Sequence, residues 1–251
     1  MKRHGETAGT ATKTRRAGRL RDNDPQATRR NIIDVATHEF AQKGYGGARV
    51  DAIAARTRTS KRMIYYHFSG KEGLYLAVLE AAYSGIRREE ATLDLDHLAP
   101  EAAMRRLIAS TFDYYIGHPE FVRLVMNENI MDGVHMKRSR TIGKLNLTVI
   151  DALTRIVRRG QKAGAFRAGI DPLELHMSIS ALGIFHVANR ATFSTIFKLD
   201  MSSPKAVAAR RKQVVEIVLG HVRSTPRPFI RPVRRPGSRS VDKMNRLVQS
   251  V

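Results

Sequence analysis

Residues 57–71 read TRTSKRMIYYHFSGK and place four cations, Arg58, Lys61, Arg62 and Lys71, around two adjacent tyrosines. Lysine and arginine side chains offer several N–H donors, and a guanidinium can bond the edge of a guanine base with two of them. Tyrosine hydroxyls can donate hydrogen bonds to phosphate oxygens. The segment therefore carries binding chemistry suited to a polyanionic partner.

A helix over residues 60–67 would direct these side chains outward. Ile64 and Phe68 are four residues apart and mark its inner face, because a helix completes a turn every 3.6 residues. The cations and tyrosines then fall on the opposite and flanking surfaces. The alternative is that the tyrosines pack against the following helix and that the charged face is only solvated.

Two further helical patterns precede this one. The first ends near Gly44, since glycine is a typical residue at a helix C-terminus, and the second is short. Their inward positions are Ile32, Val35, Ala36 and Phe40, then Val50, Ile53, Ala54 and Thr57. Three helices in about forty residues, with a tight turn between the last two, predict a helix-turn-helix.

In such a motif the second helix of the pair lies in the major groove of DNA. Lys61 and Arg62, near its start, can reach O6 and N7 of guanine, and Met63 can touch a thymine methyl group. Tyr65 and His67 can donate hydrogen bonds to phosphates, which fixes orientation without reading sequence.

Residues 29–75, RRNIIDVATHEFAQKGYGGARVDAIAARTRTSKRMIYYHFSGKEGLY, resemble the DNA-binding domain of the TetR/AcrR family of bacterial transcriptional regulators over its whole length. The resemblance implies that residues near 60–63 meet base edges. The phosphate contacts that it implies are those of Val50, Tyr65, His67 and Lys71. The full set that we predict to contact DNA is Arg49, Val50, Arg58, Ser60, Lys61, Arg62, Met63, Tyr65, Tyr66, His67 and Lys71.

The resemblance also implies an all-α fold. A three-helix DNA-binding domain with a helix-turn-helix would be followed by a larger helical effector-binding and dimerisation domain. The expected function is that of a homodimeric repressor, released from a double-stranded DNA operator by a small-molecule effector. A twofold dimer is favoured because two recognition helices must reach half-sites about 34 Å apart.

Arg58 departs from the family pattern, which usually has glycine at this turn. The backbone there often needs a positive φ, and a residue with a side chain pays about 1 kcal/mol for that conformation. Either the turn relaxes to another geometry or Arg58 gains a phosphate contact that offsets the strain.

The chain has 251 residues, with 44 lysines and arginines against 23 acidic residues, and a formal net charge of +21. This balance favours a polyanionic partner or an anionic membrane surface, and nucleic acid is the leading candidate. Cysteine is absent, so disulfides and thiolate chemistry are excluded. Because no secretory signal or membrane-spanning run stands out, we expect a cytoplasmic, nucleoid-associated protein without a membrane partner.

The charge and proline patterns divide the chain into four parts. Residues 1–28 predict a disordered basic arm, and residues 224–251 a basic tail rich in proline and arginine. Residues 29–74 form the predicted DNA-binding domain, and residues 75–223 the helical domain. The helices that we predict after the third begin near 71, 100, 119, 136, 172 and 204 and end near 92, 117, 131, 160, 197 and 222.

Two apolar stripes in the last two predicted helices are candidates for the dimer interface. They consist of Leu175, Ile179, Leu182, Phe185 and His186, and of Val207, Val214, Val215, Val218 and Leu219. Together they offer more apolar surface than one short domain must hide. The alternative is that both stripes face the core of their own chain.

Candidate effector contacts are aromatic and polar residues inside the helical domain, namely Phe112, Tyr115, Asn127, Phe185, His186 and Asn189. Each is also compatible with a satisfied core or interface position. The sequence carries no recognisable catalytic or metal-binding motif, so we expect no enzyme and no cofactor. Two rival functions stay open: a nonspecific nucleic-acid-coating protein, and a small-molecule-binding protein or enzyme with solubilising basic tails.

Overall fold

The computed structural model describes residues 24–224, and the predicted basic arm and tail fall almost wholly outside this range. Within it the chain is all-α, as predicted. The helices are α1 Pro25–Gly47, α2 Val50–Thr57, α3 Lys61–Phe68, α4 Lys71–Ala91, α5 Pro100–Gly117, α6 Pro119–Ile130, α7 Arg140–Lys162, α8 Pro172–Ala188, α9 Arg190–Phe197 and α10 Pro204–Val222. None of these ten helices combines the length and apolar composition that crossing a bilayer requires.

Helix α1 begins inside the segment predicted to be disordered. Its first residue is Pro25, and the carboxylate of Asp24 accepts a hydrogen bond from the amide of Gln26 at 2.9 Å. Aspartate at the N-cap followed by proline is a strong helix start. The basic composition of the arm hid this signal, so residues 25–28 were assigned wrongly.

The first core joins α1, α2, α3 and the N-terminal half of α4. Ile32, Phe40, Ile53 and Ile64 are fully buried in it, as are Leu74, Val78 and Leu79 of α4. Gly44 interrupts α1 with φ 66°, near the predicted end of the helix. Because α4 continues into the second domain, it connects the two cores as one rigid element.

The second core lies between α5, α7, α8 and α10. The apolar stripes proposed for dimerisation are mostly part of it: Leu175, Ile179, Val214, Val215, Val218 and Leu219 are at most 3% exposed. His186 is buried as well, and Leu182 and Val207 pack partly buried against this core, whereas Phe185 is 40% exposed. The intramolecular alternative is therefore correct for nearly the whole of both stripes.

The helix predicted over residues 172–197 is two helices. Asn189 lies between α8 and α9 with φ −100° and ψ 5°, and its side-chain amide donates to the carbonyl of Phe185 at 3.4 Å. Asparagine competes for backbone hydrogen bonds in this way, which favours a helix end. Similarly, residues 136–138 form a 3-10 turn, and α7 begins only after Ser139 caps the amides of Thr141 and Ile142.

Helix α6 joins the two domains. Asn127 donates a hydrogen bond to the carbonyl of Phe40 at 3.2 Å, so α6 is fixed to α1. The buried carboxylate of Glu128 accepts from the amides of His135 and Met136 at 2.7 and 2.9 Å. These bonds hold the loop after α6 beside the DNA-binding domain.

Candidate nucleic-acid interface

The turn between α2 and α3 requires the left-handed backbone conformation that the sequence suggested. Arg58 has φ 53° and ψ 33°, and its amide donates to the carbonyls of Ala54 and Ala55. Of the two alternatives, relaxation to another geometry is therefore wrong. The exposed side chain of Arg58 stays beside the start of α3.

Helix α3 is held so that one face must point outward. Ser60 caps it by accepting from the amide of Met63 at 3.3 Å, while Ile64 and Phe68 are buried in the first core. The start of α4 lies very close to the end of α3. A Cβ placed on Gly73 would collide with the carbonyl oxygen of Phe68. Glycine at this position thus permits the close approach of α4 to the end of α3.

The predicted DNA contacts lie on α3 and beside it, and most of them are exposed. Tyr66 is 77% exposed, so the alternative that its ring packs against the following helix is wrong. Tyr65 is 55% exposed, and its ring lies beside Gly70 at the start of α4. The exposed members are Arg49, Arg58, Ser60, Lys61, Arg62, Met63, Tyr65 and Tyr66, and the half-buried members are Val50, His67 and Lys71. Cations, hydroxyls and one thioether are therefore presented together.

The two cations at the start of α3 differ in their surroundings. Lys61 forms an ion pair with Asp51 of α2, and both side chains are about half exposed. Arg62 forms no hydrogen bond or ion pair with any residue from 24 to 224. The guanidinium of Arg62 thus keeps all five of its N–H donors for an external acceptor.

His67 and Lys71 are less available than the sequence suggested. Nε2 of His67 is buried without a hydrogen-bond partner among the described residues, so this nitrogen cannot meet a phosphate unless the ring rotates. Nζ of Lys71 lies 4.8 Å from the ring centre of Tyr45 and donates to the carbonyl of Gly46 at 3.3 Å. Lys71 is thereby held at the N-terminus of α4, where a helix favours an anion.

Glu39 is a positioning residue that sequence reasoning missed. Its buried carboxylate accepts from Nζ of Lys43 at 2.8 Å and from the amide of Arg49 at 3.4 Å, and it lies 3.9 Å from the guanidinium of Arg56. Burial opposes ionisation, but these hydrogen bonds and charges together keep the pKa of Glu39 below its usual value. The sequence feature that could have identified Glu39 is that it is a single glutamate on the apolar face of α1.

Comparisons with known proteins agree with this geometry. Residues 32–78 match the family described as bacterial regulatory proteins, tetR family, and residues 100–218 match the tetracyclin repressor-like C-terminal domain. The chain is 36% identical over 195 residues to the HTH-type transcriptional repressor NicS of Pseudomonas putida, covering 78% of this chain and 92% of that one. The chain belongs to the TetR family.

Solved structures of TetR-type regulators share the fold. A transcriptional regulator from Streptomyces coelicolor, SCO4942, has a TM-score of 0.59 at 26% identity, covering 80% of this chain and 99% of that one. A tetR-family protein from Rhodococcus RHA1 has a TM-score of 0.63 at 20% identity, covering 79% and 98%. These structures agree in fold, and the family and repressor matches identify the chain as a TetR-family DNA-binding transcriptional regulator, a class of protein that is not an enzyme.

The six candidate effector contacts do not form one site. Tyr115 and Phe112 are buried in the second domain, where the Phe112 ring lies 5.7 Å from that of His186. Asn127 instead bonds α1, as described above. The exposed Phe185 packs against Phe193 of α9, and Asn189 ends α8.

Proposed function

We propose that this TetR-family protein is a homodimeric, sequence-specific repressor that a small-molecule effector releases from its operator. The observation that carries the proposal is the outward face of α3. It presents unpaired Arg62, exposed tyrosines and Lys61 on a helix whose other face is locked into the core. A helix of this kind can enter the major groove without rearrangement of the domain.

The position of each side chain on α3 determines whether it can contact a base edge or a phosphate. Lys61 and Arg62 lie in its first turn, where side chains reach base edges, and a bidentate arginine contact to guanine discriminates by about 1–3 kcal/mol. Met63 offers a methyl contact. Tyr65 and Tyr66 lie further along α3 and are more exposed than Met63. Their hydroxyls suit phosphate contacts, which fix the orientation of the protein on DNA.

An exposed apolar face on α8 and α10 supports a dimer. Leu173, Met177, Ala181 and Phe185 recur every four residues along α8 and are all exposed. Ile217 of α10 is 47% exposed, and a groove of about 360 Å³ runs between the two helices. A second copy that packs the same face against this one would bury these side chains in a twofold interface.

Release would use α4 and α6, the two helices that belong to both domains. An effector bound among α4, α5 and α7 would favour one position of α4, and α6 is fixed to α1 through Asn127. A ligand shifts such an equilibrium only by its differential affinity for the two states. In the bound state, the separation of the two α3 helices would no longer match the operator.

Selection of genomic fragments by the purified full chain, followed by footprinting at about 150 mM salt, tests the proposal. A protected palindrome with two half-sites about one helical turn apart is the expected result. Uniform retention of all fragments would instead favour the alternative function, nonspecific coating of nucleic acid, for which the net charge of +21 is also suited.

A further inference from the structure

A pair of opposite charges lies inside the second domain on α4. The side chains of Arg87 and Glu90 are only 6% and 8% exposed, and they are three residues apart on one face of the helix. Nη1 of Arg87 lies 3.0 Å from Oε2 of Glu90. Burying two charges costs several kcal/mol per ion unless hydrogen bonds complete the pair, so this pair lowers the free energy of unfolding.

The hydrogen bonds of the pair are incomplete. Nε and Nη1 of Arg87 and both carboxylate oxygens of Glu90 are buried and have no hydrogen-bond partner among the described residues. The two groups are close, but no N–H of Arg87 is directed at an oxygen of Glu90. An unpaired buried donor or acceptor costs about 1–3 kcal/mol, so a ligand that these two side chains turn to meet would be favoured.

Both residues border a cavity of about 440 Å³ between α4, α5 and α7. Its apolar lining includes Leu95, Leu107, Val149 and Ala152. The cavity is large enough for a small organic molecule, and it combines these apolar residues with polar and charged ones, so it can hold a ligand that has both an apolar body and a polar head. Burial, and next the charge of Arg87, lower the pKa of His176 of α8 to about 4, so the ring stays neutral beside Arg87.

The charge of the cavity restricts what it can hold. Asp94, Asp96 and Asp151 border its mouth, and Arg155 offsets one of them through an ion pair of 3.3 Å with Asp96. A carboxylate ligand would meet these aspartates and would add a second negative charge beside Glu90. The aspartates would attract an ammonium ligand to the mouth, but beside Glu90 it would face the guanidinium of Arg87 without an acceptor to offer it.

We propose that this cavity is the effector site and that it takes a small, uncharged molecule with an amide-type head, such as a primary amide, lactam or ureide. The carbonyl of the head accepts from Arg87, the adjacent N–H donates to Glu90, and an apolar body lies against Leu107 and Val149. The inference rests on the proposed function, because it specifies the effector of that repressor.

Three probes of similar size separate the possible head groups: benzamide, benzoate and benzylamine. Each is titrated by calorimetry into the full chain without DNA at pH 7.5. Benzamide should bind at least about tenfold more tightly than the other two, since a lost charged hydrogen bond costs about 1.5–3 kcal/mol. Arg87→Met and Glu90→Gln should each weaken benzamide binding at least about tenfold, whereas Arg106→Met, on the exposed face of α5, should not change it.

The double variant Arg87→Met/Glu90→Leu controls for misfolding of the single variants. Replacing a whole buried ion pair by apolar residues often leaves the free energy of unfolding unchanged. The double variant should fold, as circular dichroism will show, and should not bind benzamide. Equal binding of the three probes, no binding of benzamide up to 10 mM, or unchanged binding by the double variant would overturn the inference. Because these titrations contain no DNA, their failure is distinct from a failure of operator recognition.

Discussion

Lys61 on the exposed face of α3 is paired with Asp51 on α2 in the DNA-free protein. The pair joins the two helices of the helix-turn-helix across their outer surface. A recognition lysine is thereby held in place, but it must give up or share this partner when it meets a base or a phosphate. The carboxylate of Asp51 also adds a negative charge to the surface that faces DNA.

Asp51→Asn should therefore tighten DNA binding several-fold. The loss of an exposed ion pair changes the free energy of unfolding by less than about 1 kcal/mol, so the fold should be unaffected. Fluorescence anisotropy with a selected operator fragment measures the affinity. Asp34→Asn removes an exposed charge from α1 on the side of the second domain and should leave the affinity unchanged; weaker binding by Asp51→Asn would show that Asp51 positions Lys61 for DNA instead.

Arg58→Gly should raise the free energy of unfolding by about 1 kcal/mol, because glycine adopts φ 53° without strain. It should also weaken DNA binding if Arg58 contributes a phosphate contact. Lys198→Gly is a matched control, since Lys198 has φ 50° at the end of α9, away from α3. That variant should gain stability without losing DNA affinity, and equal affinities for all three proteins would rule out a role for Arg58 in DNA binding.

Glu90 should make the free energy of unfolding fall as the pH rises from 4.5 to about 7. Burial raises its pKa to about 7 despite the opposing charge of Arg87, so in this range the native state keeps a proton that the unfolded chain has lost. Relative to wild type, Glu90→Gln should gain about 2 kcal/mol between pH 5 and pH 8. Urea unfolding at each pH measures this, with the exposed Glu89→Gln as control.

The comparison must be made between variant and wild type because other groups titrate in the same range. Burial lowers the pKa of His176 to about 4, which makes stability rise with pH between 4 and 6.5 and opposes the effect of Glu90. The difference between Glu90→Gln and wild type removes this contribution. An identical pH dependence of the two proteins would contradict a buried, poorly solvated Glu90.

Met177→Glu combined with Ile217→Glu should convert the protein to a monomer. Both side chains are about half exposed on the face formed by α8 and α10, and a buried carboxylate in an apolar interface is strongly unfavourable. Sedimentation velocity should show half the wild-type mass, and operator affinity should fall at least about a hundredfold because only one half-site is held. Leu147→Glu, on the exposed side of α7, should change neither result; a wild type that sediments as a monomer would contradict the proposed interface.

Local signals in the sequence predicted the DNA-binding domain closely. Ile64 and Phe68 fixed which face of α3 is buried, and the tyrosines beside them are exposed as expected. The same kind of signal, a proline after an N-cap residue, correctly placed the starts of α8 and α10. The same signal occurs at Asp24 and Pro25, but the basic, weakly apolar composition around it predicts disorder instead.

The second domain was harder to predict because periodicity does not say what covers an apolar face. Ile179 and Phe185 belonged to one predicted stripe, yet the first is core and the second is exposed. The sequence does not distinguish Arg87 and Glu90 from a surface ion pair, since two opposite charges three residues apart on a long helix are usually exposed. Only the packing of α5 and α7 against α4 makes that pair a buried one.

The most direct test of the central claim is operator discrimination by α3. The ratio of affinities for the selected operator and for a scrambled fragment should be measured for wild type, for Lys61→Ala/Arg62→Ala and for Arg158→Ala/Lys162→Ala. The last variant removes the same charge from exposed positions on α7. The account predicts that only the α3 variant loses most of the ratio, by about a hundredfold. Equal loss of affinity for both fragments in both variants would contradict it, because net charge rather than α3 would then determine binding.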